Sequence, residues 1–176
     1  MENFYKNYYQ MFNGIELCIN QKLQLPALTL IYSTIDSLSW LAYGDIGGNK
    51  VQFTKWVDEY MDNEKLLDIT SLDLYSARCA IIHTLTPNSK RSNKKEASVL
   101  CYAWGDANRS LGEKSIEKSG INGLKIIHIN DLFESLKIGT LKFTKNDNLN
   151  KNTLDRMTQH YTNISKEELN KFIKLT

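Results

Sequence analysis

Apolar side chains recur at helical spacing through most of the chain. Residues 3–23 put Phe4, Tyr8, Met11, Ile15, Cys18 and Ile19 on one face, which predicts a first helix. Pro26 then falls in the first turn of the next segment, where a missing N–H is harmless. There Leu28, Ile31, Ile35, Leu38 and Ala42 form the inward stripe of a second helix that ends before Gly44. A neighbouring stripe carries Tyr32, Asp36, Ser39, Trp40 and Tyr43. The acid among these aromatics needs a partner, because burying a lone charge is costly. The stretch from Gly44 to Lys50 reads as a loop and lacks the spacing of a phosphate-binding loop. Residues 51–66 predict a third, more polar helix with Phe53, Trp56, Val57 and Tyr60 inward. Thr70 or Ser71 offers an N-cap for a fourth, Asp73 suits its first turn, and Pro87 ends it near Thr86.

After the polar loop 86–95 the period changes. Residues 98–104 (SVLCYAW) and 124–129 (LKIIHI) are short β-branched or aromatic runs beside glycines, and they predict a pair of strands. A polar segment, 106–122, lies between them. Asn130 or Asp131 then caps a helix carrying Leu132, Phe133, Leu136, Leu141 and Phe143. Residues 146–152 form an Asn- and Lys-rich linker, and 153–175 predict a last amphipathic helix through Leu154, Met157, Tyr161, Leu169, Phe172 and Ile173. The expected fold class is mainly α with a small two-stranded β element in the C-terminal half. One domain is expected over residues 1–176, with 87–176 packed on a helical core formed by 1–86.

Composition narrows the class. With 41% hydrophobic and 24% charged residues in 176, collagen-like, disulfide-scaffold and strongly disordered chains are excluded. Cys18, Cys79 and Cys101 form no close pair. The N-terminus MENFYKNYYQ is not the basic-then-apolar pattern of a secretory signal, and no apolar run approaches membrane-spanning length. A cytoplasmic protein with reduced thiols and no membrane association is expected. The formal charge of +2 conceals an asymmetry. Residues 1–80 hold 6 basic and 10 acidic side chains, a net of −4, whereas 81–176 hold 16 and 10, a net of +6. The densest cations are Lys90, Arg91, Lys94 and Lys95, candidates to hold a nucleic-acid backbone.

The candidate chemistry lies in the fourth helix. Arg78-Cys-Ala-Ile-Ile-His83 sets an Arg and a His in an otherwise apolar segment, where an Arg must be used or neutralised. Asp36 and Asp73 are the candidate partners for its charge. Five positions separate the pair by about 140° around a helix, so the two do not share a face. A two-fold axis that brings a second copy's pair alongside would supply both groups to one cleft. His83 also sits in the last turn, where the helix dipole favours its protonated form. An Arg that holds a phosphate bidentately beside a His that moves protons suits phosphate chemistry. Cys79 and His83 are spaced as half a metal site, but no second pair has ligand spacing, so no metal and no cofactor is expected.

The segment LDLYSARCAIIHTLTP (72–87), preceded by a helix with YSTIDSL (32–38), resembles the HEPN superfamily of small helical-bundle proteins with an R-x4-6-H motif. Helix four followed by SVLCYAWG and IIHINDLFESL is similar to a narrower group of bacterial proteins. The resemblance covers residues 3–86 and implies a HEPN-like up-and-down helical bundle that acts as a homodimer, with two motifs meeting at the interface. It implies a metal-independent endoribonuclease of a defence or toxin system, with an antitoxin or defence-system partner. Arg78 and His83 would be the catalytic pair, and Asp36 matches an acid that some members carry on the second helix. The 2′-hydroxyl of RNA would attack its own phosphate, leaving a 2′,3′-cyclic end. The superfamily also contains non-catalytic modules that bind RNA or a partner protein, and a purely structural dimerisation domain is a further alternative. Two positions depart from its active members: Cys79 follows the Arg where many have a polar residue, and Leu85 stands where many toxins have a Tyr.

Overall fold

The computed structural model describes residues 2–61, 67–119 and 122–159. The second half of the predicted last helix, with Tyr161, Leu169, Phe172 and Ile173, lies outside them, as do His160 and residues 62–66 of the predicted third helix. Helices α1 (Glu2–Asn20), α2 (Gln24–Tyr43), α3 (Gly48–Tyr60) and α4 (Ser71–Thr84) come first. They are followed by a single turn, α5 (Lys90–Asn93), strand β1 (Val99–Ala103), α6 (Arg109–Ser119), β2 (Leu124–His128), α7 (Ile129–Thr144) and α8 (Lys151–Thr158). The protein is therefore mainly helical, with one small sheet in its C-terminal half. Among the described residues no helix is long and apolar enough to cross a membrane.

Helix α2 is the centre of the packing. Leu28, Ile31, Ile35 and Leu38 are fully or nearly fully buried, as the predicted stripe requires, and α1, α3, α4, α7 and α8 all pack against this helix. Its last carbonyls are closed from a distance: Arg156 on α8 donates to the Leu41 and Ala42 oxygens at 2.9 and 3.1 Å. The Tyr32 and Tyr102 hydroxyls meet at 2.6 Å and join α2 to β1. A single buried cluster runs from Phe4 and Ile35 to Leu100, Ile127 and Met157, so both halves share one core.

Several local expectations change. Helix α3 starts at Gly48 instead of 51 and ends at Tyr60, where Met61 turns extended. The polar segment 106–122 contains α6, because β1 and β2 pair in parallel, Val99 opposite Leu124 through Ala103 opposite His128. A parallel pair needs a long crossover, which a helix commonly supplies. The cap of α7 is His128, not Asn130 or Asp131: its Nδ1 accepts the Asn130 N–H at 3.2 Å while Nε2 donates to the Gly105 carbonyl at 3.0 Å. Leu141 and Leu154, expected inward, are 53% and 42% exposed, since each lies off its helix's buried stripe. The linker is shorter than expected, with Asn150 capping α8 through the Thr153 N–H.

Asp73 ties the helical half to the sheet. Thr70 and Asp73 form a reciprocal capping box at the start of α4, each bond 3.1 Å long. The second carboxylate oxygen of Asp73 accepts the Ser98 N–H at 2.6 Å, one residue before β1, and Lys125 on β2 lies 3.8 Å away. Burial works to raise this carboxyl, but the Ser98 and Thr70 bonds and the Lys125 charge together outweigh it and hold it below the usual carboxylate value. A depressed acid contributes stability above its unfolded value and loses it as pH falls through the folded one. Asp73→Asn is expected to destabilise the protein by about 1–3 kcal/mol at neutral pH. Urea unfolding at stepped pH should show that gap constant above about pH 4 and closing below it. A gap that widens on acidification contradicts the assignment.

Candidate active site

Helix α4 buries Leu74, Ala77, Ala80 and Ile81, and Arg78 projects from the edge of that face toward α2. Its Nε and Nη2 both reach Oδ2 of Asp36, at 2.7 and 2.6 Å. The side chains are only 12% and 19% exposed, so the pair is largely withdrawn from water. The other carboxylate oxygen, Oδ1, is buried without a hydrogen bond of normal geometry, and the Asn49 side chain is the nearby donor that favours the carboxyl's charged form. Burial pushes the Asp36 carboxyl above its ordinary value, against the opposing pull of Arg78 and His83. Burial also disfavours the Arg78 charge, but Asp36 prevails and holds the guanidinium protonated. Of the two candidate partners, Asp36 takes Arg78, and Asp73 is committed to the cap and the sheet.

His83 completes the cluster. Its Nε2 lies 2.9 Å from Arg78 Nη1. Five positions set the two residues about 140° apart around the helix, yet their side chains meet, because side chains reach further than Cβ positions. The His83 side chain leans back toward the N-terminus, and the long Arg78 side chain spans the rest of the about 7.5 Å of helix axis between them. Arginine has only donors, so Nε2 is the acceptor and the ring proton sits on Nδ1. Leu85, in the left-handed region at φ 51°, ends the helix and turns the chain away immediately past His83.

Asp36 and His83 together use Arg78's Nε–H, one Nη1–H and one Nη2–H of the five available. One N–H remains on each terminal nitrogen, and the Cys79 thiol beside the guanidinium is a weak acceptor that a phosphate oxygen can displace. Two N–H groups on adjacent nitrogens are the fork that binds phosphate bidentately.

A cavity of 810 Å³ opens between α4 and α5. Cys79 and His83 line one wall, and Lys90, Arg91 and Lys94 line the other, so three of the four predicted cations share a space with the predicted His. Lys95 does not line it. Helix α5 was not expected within the polar loop. A capping box between Ser89 and Ser92 forms it, and a 2.6 Å bond between the Ser89 and Ser76 hydroxyls holds it against α4. The S-x-x-S spacing was the available signal, although a capping box more often ends in Glu or Gln. Tyr75 and Glu96 were also missed: Glu96 pairs with Arg91 at 3.0 Å, and the Arg91 guanidinium lies over the Tyr75 ring at 5.9 Å. Among the described residues no three His, Cys, Asp or Glu side chains are grouped as metal ligands.

Removing one member of the Arg78–Asp36 pair leaves a charge with no counter-ion in a largely dry place. Asp36→Ala is expected to cost about 3 kcal/mol, and the double change Asp36→Leu with Arg78→Met to recover most of it. Denaturant melts of the three proteins check this, and a double variant no better than Asp36→Ala contradicts it.

No protein-family model matches the chain, and neither a curated protein nor a solved structure matches it.

Proposed function

We propose that this protein is a metal-independent endoribonuclease of the HEPN type, acting from Arg78 and His83 with Asp36 as the residue that positions Arg78. The observation that carries the reading is the line Asp36–Arg78–His83, in which Arg78 keeps N–H groups that neither neighbour uses and His83 lines a cavity with a cationic wall. A phosphate oxygen that takes those N–H groups draws Arg78 from His83 and frees Nε2. Nε2 then accepts the proton of the ribose 2′-hydroxyl, O2′ attacks phosphorus, and the P–O5′ bond breaks. The products are a 2′,3′-cyclic phosphate and a 5′-hydroxyl. Arg78 offsets the charge that gathers on the pentavalent phosphate. In a homodimer whose motifs face each other, His83 of the partner subunit, in its imidazolium form, donates the proton to the leaving O5′ while the first His83 keeps the proton it took from O2′. The cytoplasm supplies both the RNA and the reduced state of the thiols.

A second reading, a non-catalytic module that binds RNA or a partner protein, is favoured by one detail. His83 Nε2 is already engaged by Arg78, so the resting protein presents no free base. Incubation with RNA in EDTA separates the two. Cleavage by the wild type, with a loss of about 100-fold or more in His83→Ala at unchanged thermal stability, is the expected result. Intact RNA bound with a steep salt dependence, and no cutting in EDTA, assigns the chain to the binding module instead.

A further inference from the structure

We propose that the cavity between α4 and α5 is a nucleobase pocket, which receives one unpaired base of the nucleotide whose phosphate lies on Arg78 and His83. The proposal rests on reading that pair as a phosphodiester site, and it adds what the neighbouring space recognises. His83 belongs to both places: it bonds Arg78 and lines the cavity. A phosphate held at Arg78 therefore puts its own nucleoside within reach of the opening. The 810 Å³ volume falls in the range of small-molecule pockets, enough for a nucleoside and too small for a base-paired duplex. RNA can place a base there only from a single-stranded, unstacked segment.

The wall has the chemistry of a base site. Arg91 is held from two sides: its guanidinium lies over the Tyr75 ring at 5.9 Å and its Nη1 is bonded to Glu96 at 3.0 Å, while Tyr75 meets Phe53 edge-on at 5.5 Å. Its charge is largely matched by Glu96, so its use as a bare phosphate anchor is reduced. What remains is a planar, delocalised surface suited to stacking on a base. Asn88 and Asn93 also line the space, and each amide carries both a donor and an acceptor for a base edge. Helix α5, which presents Arg91, buries none of its own residues. Hydroxyl contacts through Ser89 hold it in place instead of apolar packing. Such an element adds little to the core, and its evident work is to hold Arg91 over Tyr75.

The test needs no cleavage. The full-length protein is titrated with AMP, GMP, CMP and UMP, and separately with ribose 5-phosphate, and amide NMR shifts are followed over residues 75–94. At least one nucleotide is expected to bind about tenfold or more tightly than ribose 5-phosphate, the increment that one stacked base supplies. Arg91→Lys keeps the charge and removes the plane. It is expected to bring the nucleotides to the ribose 5-phosphate level while leaving ribose 5-phosphate within about twofold of its wild-type affinity. Equal affinities for nucleotide and ribose 5-phosphate, no saturable nucleotide binding, or an Arg91→Lys protein that binds nucleotides as the wild type does each overturn the pocket. Because binding alone is read, a failed titration leaves the RNA-cleavage assay standing, and a failed cleavage assay leaves the titration interpretable.

Discussion

A guanidinium inside a mostly apolar helix constrains everything around it. Arg78 belongs to a turn whose neighbours, Ala77, Ala80 and Ile81, are buried, and its charge persists only because α2 offers a carboxylate at that height. Asp36 meets it with one oxygen at 2.6–2.7 Å, which sets the rotation of α4 on α2 and its position along it. Once Nε and Nη2 are held on Asp36, Nη1 is left on the far side of the guanidinium, where it meets His83. The line-up of Asp36, Arg78 and His83 is thus a consequence of neutralising a charge. Asp36 bears the cost: one of its oxygens is buried without a hydrogen bond of normal geometry, and burial shifts its carboxyl toward the neutral form.

The second acid shows how the halves of the chain are joined. Asp73 caps α4, binds the residue before β1 and stands near Lys125 on β2, so one carboxylate registers the helical core against the parallel strand pair. The Ser76–Ser89 bond does the same for α5 a turn later. Both contacts come from the buried side of α4, whereas Cys79 and His83 face the cavity. One helix therefore serves as core element, as the connector between halves and as one wall of the cavity. The acidic first half spends two of its acids on these internal bonds, and the basic second half begins where the cavity's far wall is built. The change of sign along the sequence corresponds to a change from interior matching to a cationic surface.

The first four helices with their main inward stripes, α7 and the strand pair were legible in the sequence because they follow from local periodicity and caps, whereas α5 and α6 carry too little apolar pattern to be read. The stripe Leu28–Ile31–Ile35–Leu38, the Thr70 cap and the stop before Pro87 depend only on residues a few positions apart. So did the identity of the candidate pair, since an Arg and a His in an apolar helix are conspicuous without any fold. What proximity in sequence could not decide was long-range. Nothing local distinguishes Asp36 from Asp73 as Arg78's partner across 42 positions, or shows that β1 and β2 run parallel, or that Arg91 is held between Tyr75 and Glu96. The meeting of Arg78 with His83 belongs to the same class. Cβ spacing separated them by most of a half-turn, and only the reach of the side chains, directed by a carboxylate on another helix, brought them together. Local pattern singled out the candidate residues, and packing decided which partners they meet, because charge matching acts through space rather than along the chain.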